Sequence, residues 1–306
     1  MFNFAHLSDP HLTTLKQIPW SALINKRLMG YISWKTHRRA EHRREVLDLL
    51  LSSLQEHHLD HIVVTGDLTH LGLPQEFQEA RQWLDSLNSI ADTTVIPGNH
   101  ETYIPTSYQA TLKQWTPYFQ SDSQEFIKQA PSEKDTPYFP SLRLRGPVAF
   151  IGVSSACPTP PFLATGRIDS KQMGDLEQIL RSPSLNGFFK VLLIHHPPIP
   201  GSTRWRKRLT NAAQLSHILS QHPVNLILHG HTHQCSVAFL DTLKNDPIPV
   251  IGMPSASAKG IKPGYQSQYC LFHLNQENHT FRLSASLYHY IPEKEQFTFS
   301  RPLPLP

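Results

Sequence analysis

Five times along the chain, an apolar run stops abruptly at a polar turn. Residues 2–7 run into Ser8, Asp9 and His11, residues 61–65 into Gly66 and Asp67, and residues 93–96 into Pro97, Gly98, Asn99 and His100. Residues 190–194 run into His195, and residues 225–228 into His229, Gly230 and His231. Short apolar runs bounded by such turns read as buried strands. Between them, residues 38–57 carry Val46, Leu47, Leu50, Leu51 and Leu54 at helix spacing, and residues 74–87, 171–180 and 212–219 look similar. Strands alternating with helices predict an α/β fold. In open α/β sheets, ligands bind beyond the carboxyl ends of strands, and every polar residue just named follows such an end.

The last third of the chain has a different rhythm. Residues 250–253, 270–274, 280–288 and 296–299 look like strands with little helix between them, forming a second sheet or extending the first. A Pro-rich tail at 301–306 is expected to fray. With no internal repeat and no convincing linker, residues 1–306 read as a single domain, and that length is ample for a large core.

Composition narrows the class. The net charge of +4 is modest, and the apolar and charged fractions are those of a globular protein. Three cysteines, Cys157, Cys235 and Cys270, lie far apart, which argues against a disulfide framework and a Cys-based zinc site. The start, MFNFAHLSDPHL, has neither the basic region nor the apolar core of a signal peptide, and no run is long enough for a transmembrane helix. A cytoplasmic protein is expected, with side-on contact to a membrane left open. The 19 histidines matter for their positions.

Asp9-Pro-His11, Gly66-Asp67, Gly98-Asn99-His100-Glu101, His195-His196 and Gly230-His231-Thr-His233 occur in that order. Asp-x-His and Gly-Asp occur by accident in many proteins, and a lone histidine at a strand end is usually a cap or a surface residue. The ordered set is specific. Hydrolysis of a phosphoester needs a strong nucleophile at neutral pH and compensation for phosphate charge. Two divalent ions about 3.5–4 Å apart supply both, acidifying a bridging water and clamping phosphate oxygens. One carboxylate must bridge them, and Asp67 is the natural bridge. Asp9, His11 and His233 complete one shell; Asn99, His195 and His231 complete the other. An all-nitrogen-and-oxygen donor set favours two divalent ions of Mn²⁺, Fe or Zn²⁺ over copper or an iron–sulfur cluster, and Mn²⁺ is the first expectation among them. His100, next to a ligand, is the candidate for stabilising the transition state or protonating the leaving oxygen, with a supporting histidine as the plainer alternative.

The set resembles the calcineurin-like metallophosphoesterases, whose pattern is D-x-H, GD, GNH[DE], H and GHxH. The motifs span residues 8 to 233 and none is missing. The resemblance implies a four-layer αββα sandwich of two mixed β-sheets flanked by helices, with a dinuclear site at one edge. It implies the ligand roles above and prefers His195 over His196, which is left to orient a neighbour or contact substrate. A catalytically idle binding scaffold on the same fold is the non-enzyme alternative.

Substrate choice rests on loops. The insertion at about 12–44 interleaves Trp20, Tyr31, Trp34, Leu23, Ile24, Leu28, Met29 and Ile32 with Lys26, Arg27, Lys35, Arg38, Arg39, Arg43 and Arg44. That mixture suits an anionic membrane surface, or equally a basic helix packed on the core. Nucleic acid has no stacking module to support it. Arg204, Arg206 and Lys207 around Trp205 are candidates for holding a second phosphate, and residues 158–166 form a further loop near the cleft. By overall look, the chain is similar to class III cyclic-nucleotide phosphodiesterases and to UDP-2,3-diacylglucosamine pyrophosphohydrolases of lipid A biosynthesis. The second likeness implies a lipid-linked nucleotide as the phosphoester substrate; the first implies a soluble cyclic nucleotide.

Overall fold

In the computed structural model, which describes residues 1–12, 15, 18–122, 139–243, 246–278 and 280–305, the apolar runs form two six-stranded mixed sheets. The strands are β1 (Phe2–Leu7), β2 (His61–Val64), β3 (Asp92–Val95), β4 (Ser141–Arg145), β5 (Val148–Gly152) and β6 (Phe189–Leu193). They continue with β7 (Leu226–His229), β8 (Ser236–Leu240), β9 (Ile248–Gly252), β10 (Gln268–Glu277), β11 (Thr280–Ile291) and β12 (Gln296–Pro302). One sheet has the order β12-β11-β10-β1-β2-β3, the other β4-β5-β6-β7-β9-β8. Strands β1, β2 and β3 run parallel, as do β5, β6, β7 and β9; the antiparallel strands lie outside these blocks. Every residue of β2 and of β5 is buried, as parallel strands covered on both faces require.

The regular helices are α1 (Arg27–Ser33), α2 (Arg39–Glu41), α3 (Arg44–Gln55), α4 (Pro74–Asn88), α5 (Thr116–Phe119), α6 (Ser170–Arg181) and α7 (Ala212–Gln221). Leu47, Leu50 and Leu54 of α3 and Phe77, Trp83 and Leu84 of α4 pack with Ala5, Ile62 and Val95 of the first sheet. Leu176 of α6 and Leu215 of α7 pack with Ile151, Leu192 and Ile227 of the second. A third apolar layer lies between the sheets, where the Phe4 ring stacks on Phe272 at 4.7 Å and meets Phe150 edge-on at 5.5 Å. The layers are therefore helix, sheet, sheet, helix.

Three details depart from the expectation, and one open alternative is resolved. The helix predicted over 38–57 is regular only from Arg44, because His42 and Arg43 are extended and Arg43 donates its N–H to the Ser257 carbonyl at 3.0 Å. Strands β4, β5 and β8 lay outside the apolar runs singled out; β4 reads Ser-Leu-Arg-Leu-Arg, and its Arg143 and Arg145 bond Asp92 of β3. Of the two alternatives left open for the last third, strands β10–β12 extend the first sheet. The tail is held at its start: Arg301 and Pro302 belong to β12, and Leu303 is buried with its N–H on the Ala285 carbonyl at 2.8 Å. Residues 13, 14, 16 and 17 of the insertion and Pro306 lie outside the described residues.

Candidate metal centre

The five motif loops leave strands of both sheets and meet at one edge. The first runs beside the second as if the β1–β2 pairing continued: Asp9 N–H bonds the Gly66 carbonyl at 3.0 Å, and His11 N–H the Asp67 carbonyl at 3.0 Å. Asp67 Oδ1 accepts the His100 N–H at 2.8 Å, and Asp9 Oδ2 accepts the His231 N–H at 3.0 Å. So close an approach explains two glycines. A Cβ on Gly98 would overlap Asp67, and one on Gly230 would overlap Ser8 and Asp9. Asp9, His11, Asp67, His231 and His233 all have positive φ, between 43° and 69°. Non-glycine residues hold that conformation only where their surroundings impose it, at about 1–3 kcal/mol each.

Donor atoms of Asp9, His11, Asp67 and His233 lie within 4.8 Å of one another, and so do those of Asp67, His195 and His231. Asp67 belongs to both groups. Asn99 Oδ1 lies 3.3 Å from His195 Nε2, and Asp67 Oδ2 lies 3.2 Å from the same nitrogen. Backbone carbonyls fix the histidine tautomers, since a carbonyl can only accept. His11 Nδ1 donates to the Thr69 carbonyl at 3.0 Å, His195 Nδ1 to that of Thr65 at 2.7 Å, and His231 Nε2 to that of Lys207 at 3.0 Å. The opposite nitrogen of each neutral ring is a bare lone pair, the arrangement that metal-ligating histidines use. Asp9 Oδ1 is buried, accepts no hydrogen bond and lies 3.1 Å from His233 Nε2. Lone pairs converging on one another, with an orphaned carboxylate oxygen among them, fit divalent cations.

The electrostatics agree. Burial alone would raise the Asp67 carboxyl; His195 and His100 outweigh it and hold the group well below the usual range. Burial opposes a charge on His195, yet Asp67 pushes it up to about 9, so a cation is favoured where that proton would sit. Burial drives His100 down to about 4 despite Asp67, with Arg38 acting in the same direction.

The structure also recruits residues without an assigned part in the motif reading. Glu101, buried, accepts the N–H groups of Asp67 (2.9 Å), Gly98 (2.6 Å) and Thr69 (2.9 Å); burial and the Asp67 charge push its carboxyl up to about 7. The motif itself, with its acid after Asn-His, carried that signal. His42, from the insertion, meets His11 edge-on at 4.6 Å, and its donor atom groups with those of His11 and His233. Its only sequence trace was membership of the basic stretch.

That stretch does not present one charged face. Arg27 is buried and donates to the carbonyls of Leu71 (2.9 Å) and Gly72 (2.5 Å). Lys26 bonds Thr159 and the Leu163 carbonyl, Arg38 reaches His100, and Arg43 and Arg44 pair with Glu45 and Asp48. Trp34 is buried against Leu15, Leu23, Leu71 and Leu73, whereas Trp20, Ile24 and Ile32 are exposed. No helix among the described residues is long and apolar enough to cross a membrane.

A cleft of about 310 Å³ over Asp67, Asn99, His231 and His233 adjoins a cavity of about 870 Å³. Arg204, Arg206 and Lys207 line the larger one, and Lys207 lines both. His196, considered above to orient a neighbour or contact substrate, sits beside His231. It is buried, its ring tilted against that of His231 at 4.3 Å, with Nδ1 at 2.7 Å from Ser155 Oγ and Nε2 at 3.3 Å from the Ala164 carbonyl, so both ring nitrogens have protein partners.

Residues 2–235 match the family described as Calcineurin-like phosphoesterase. The chain belongs to that family. It is a metal-dependent phosphoester hydrolase. It is 28% identical over 290 residues, 92% of this chain and 86% of the relative, to a 3′,5′-cyclic-nucleotide phosphodiesterase of Nostoc sp.. A probable cyclic nucleotide phosphodiesterase of Vesicomyosocius okutanii is 23% identical over 69% of this chain and 76% of its own. The fold is that of a dimetal phosphatase from Danio rerio, with TM-score 0.59 and 12% identity over 98% of both chains.

Proposed function

We propose that this phosphoesterase is a dinuclear-metal phosphodiesterase. In it Asp67 bridges two ions, Asp9, His11 and His233 hold the first, and Asn99, His195 and His231 hold the second. The sharing of Asp67 between the two donor groups carries this reading. The donor set suits Mn²⁺, with Fe and Zn²⁺ also accommodated. When bound, two such ions supply Lewis acidity and a nucleophile drawn from water. The chain's own residues do the rest. Only two of the seven ligating side chains are carboxylates, so the loaded site stays cationic and draws in a phosphodiester. His100 keeps its Nδ1 proton on the His70 carbonyl at 2.5 Å, lines the cleft, and accepts the Arg38 guanidinium on Nε2 at 3.0 Å. With its pKa near 4 it stays neutral there, so its part is to hold Arg38 by accepting from it and not to protonate the leaving oxygen.

A cyclic nucleotide is the substrate that the names of the relatives support, and the cleft of about 310 Å³ suits a ligand of that size. One observation favours a second reading, a lipid-linked phosphoester such as UDP-2,3-diacylglucosamine: Met29, Ile32, Phe162 and Trp205 on the wall of the larger cavity are exposed. The test is a parallel assay of Mn²⁺-loaded protein on bis-p-nitrophenyl phosphate, cyclic AMP and the acylated UDP-sugar in detergent. Turnover of cyclic AMP without the lipid supports the first reading, and turnover of the lipid alone the second. No turnover of any of the three with two ions bound would overturn both.

A further inference from the structure

The cavity of about 870 Å³ beside the metal cleft is lined by Lys26, Arg38, Arg204, Arg206 and Lys207 together with His37 and His100, and by no Asp or Glu. Most of these cations are accounted for. Lys26 is bonded to Thr159 and Leu163, over the Tyr103 ring. Arg204, Arg206 and Lys207 are exposed to water, which solvates them. Arg38 differs. It leaves the π-helical turn Trp34–Arg38 of the insertion and lines both the metal cleft and the larger cavity. Among the described residues no carboxylate oxygen lies within 4 Å of it, and its one side-chain hydrogen bond runs from Nη1 to His100 Nε2 at 3.0 Å.

That bond has a definite polarity. His100 Nδ1 donates to the His70 carbonyl, so Nε2 is the acceptor and the guanidinium the donor. One of five N–H groups is thereby used, and its partner is neutral. A half-buried guanidinium, poised at a phosphoester site with no carboxylate beside it among the described residues, has the geometry to take two oxygens of a phosphoryl group side by side. Burial disfavours its charge, while Asp67, Tyr103 and Asp9 favour it from a distance.

We infer that Arg38 is a catalytic residue contributed by the insertion: it binds the non-bridging oxygens of the reacting phosphoryl group, with His100 Nε2 holding it in place. The inference rests on the phosphodiesterase reading for the reaction, but the anion site it assigns can be measured without turnover. It also gives the insertion a part in catalysis, since this chain's cation for the phosphate comes from outside the motif loops.

The experiment is titration calorimetry of orthophosphate into protein loaded with Mn²⁺ and freed of excess metal, with metal content measured on each sample. Arg38→Ala should weaken orthophosphate binding about 10- to 100-fold, the range for loss of charge-assisted bonds, with metal content unchanged and kcat/KM falling in step. Arg38→Lys, which keeps the charge and loses the fork, should fall between, and serves if the alanine variant folds poorly. His100→Ala alone separates direct contact from mere support of His100: it removes the bond that holds Arg38 but leaves the charge, so it should cost less orthophosphate affinity than Arg38→Ala. Orthophosphate binding within twofold of wild type in Arg38→Ala, or a loss in His100→Ala larger than that in Arg38→Ala, overturns the proposal, as does a loaded wild-type protein that binds no orthophosphate. Should the loss appear in a protein that turns over no diester, the anion site stands and the phosphodiesterase reading falls.

Discussion

A single oxygen of Glu101, Oε2, accepts the backbone N–H of Asp67 at 2.9 Å and that of Gly98 at 2.6 Å. It thereby ties the loop after β2 to the loop after β3. Oε1 takes the Thr69 N–H and hydroxyl at 2.9 and 3.0 Å. Glu101→Ala would leave these donors buried without partners, at about 1–3 kcal/mol for each left unsatisfied. We expect the metal-free protein to lose roughly 2–4 kcal/mol of stability and Mn²⁺ affinity to fall about 10- to 100-fold. Chemical denaturation of the apo-protein and a Mn²⁺ titration check the two effects separately; an alanine variant as stable and as tight-binding as wild type would refute this role for Glu101.

Asp67→Asn changes one atom of the residue that both donor groups share. Bound metal should fall from two equivalents to one or none by elemental analysis, and hydrolysis of bis-p-nitrophenyl phosphate by at least about 100-fold, the upper end of what loss of an outer partner costs. Asp9→Asn removes a donor from one group only, so it should spare the second ion. Equal metal loss in the two variants would mean that Asp67 is not the bridge.

Much of this site was legible before any coordinates. Each motif residue follows a strand end, and the strand ends were marked by apolar runs meeting a polar turn. Of the strands that escaped notice, β8 and β4 are only partly buried, and the charges of β4 are paired across the fold: Arg143 and Arg145 find Asp92, which is 51 and 53 positions away. The insertion escaped for the same reason. Arg27, Lys26 and Arg38 read alike as basic residues, and only the fold separates one that ties carbonyls, one that staples a loop and one that faces the cleft. A charge run carries no record of which partner each cation will meet.

Gly98 offers a test that leaves every donor in place. A Cβ there would lie 2.6 Å from the Asp67 backbone nitrogen and overlap its carboxylate, so Gly98→Ala must push the two loops apart. Because metal geometry tolerates little displacement, Mn²⁺ affinity should drop at least tenfold. Gly174→Ala, where a Cβ meets nothing within 4 Å, is the control and should bind metal as wild type does. Matching affinities for the two variants would show that the loops yield without cost.

Away from the metal centre, His61 sets an acid-sensitive term in stability. Its ring is buried, stacked on Phe150 at 4.4 Å, with Nε2 on Thr94 Oγ1 at 2.8 Å. Burial is the main cause of a pKa near 3; Asp92 opposes it, and Arg143 and Arg145 reinforce it. The unfolded chain takes up this proton near pH 6.5, whereas the folded protein refuses it until about pH 3. The contribution of His61 is therefore complete above pH 6.5 and is lost as the pH falls toward 3. Each unit of that interval costs about 1.4 kcal/mol, so roughly 2 kcal/mol should be gone at pH 5 relative to pH 7. His61→Phe keeps the ring stacked on Phe150 and removes the proton site. Denaturant melts of metal-free protein at pH 7, 6 and 5 should show a shallower decline for the variant, and parallel declines would rule out His61 as the source.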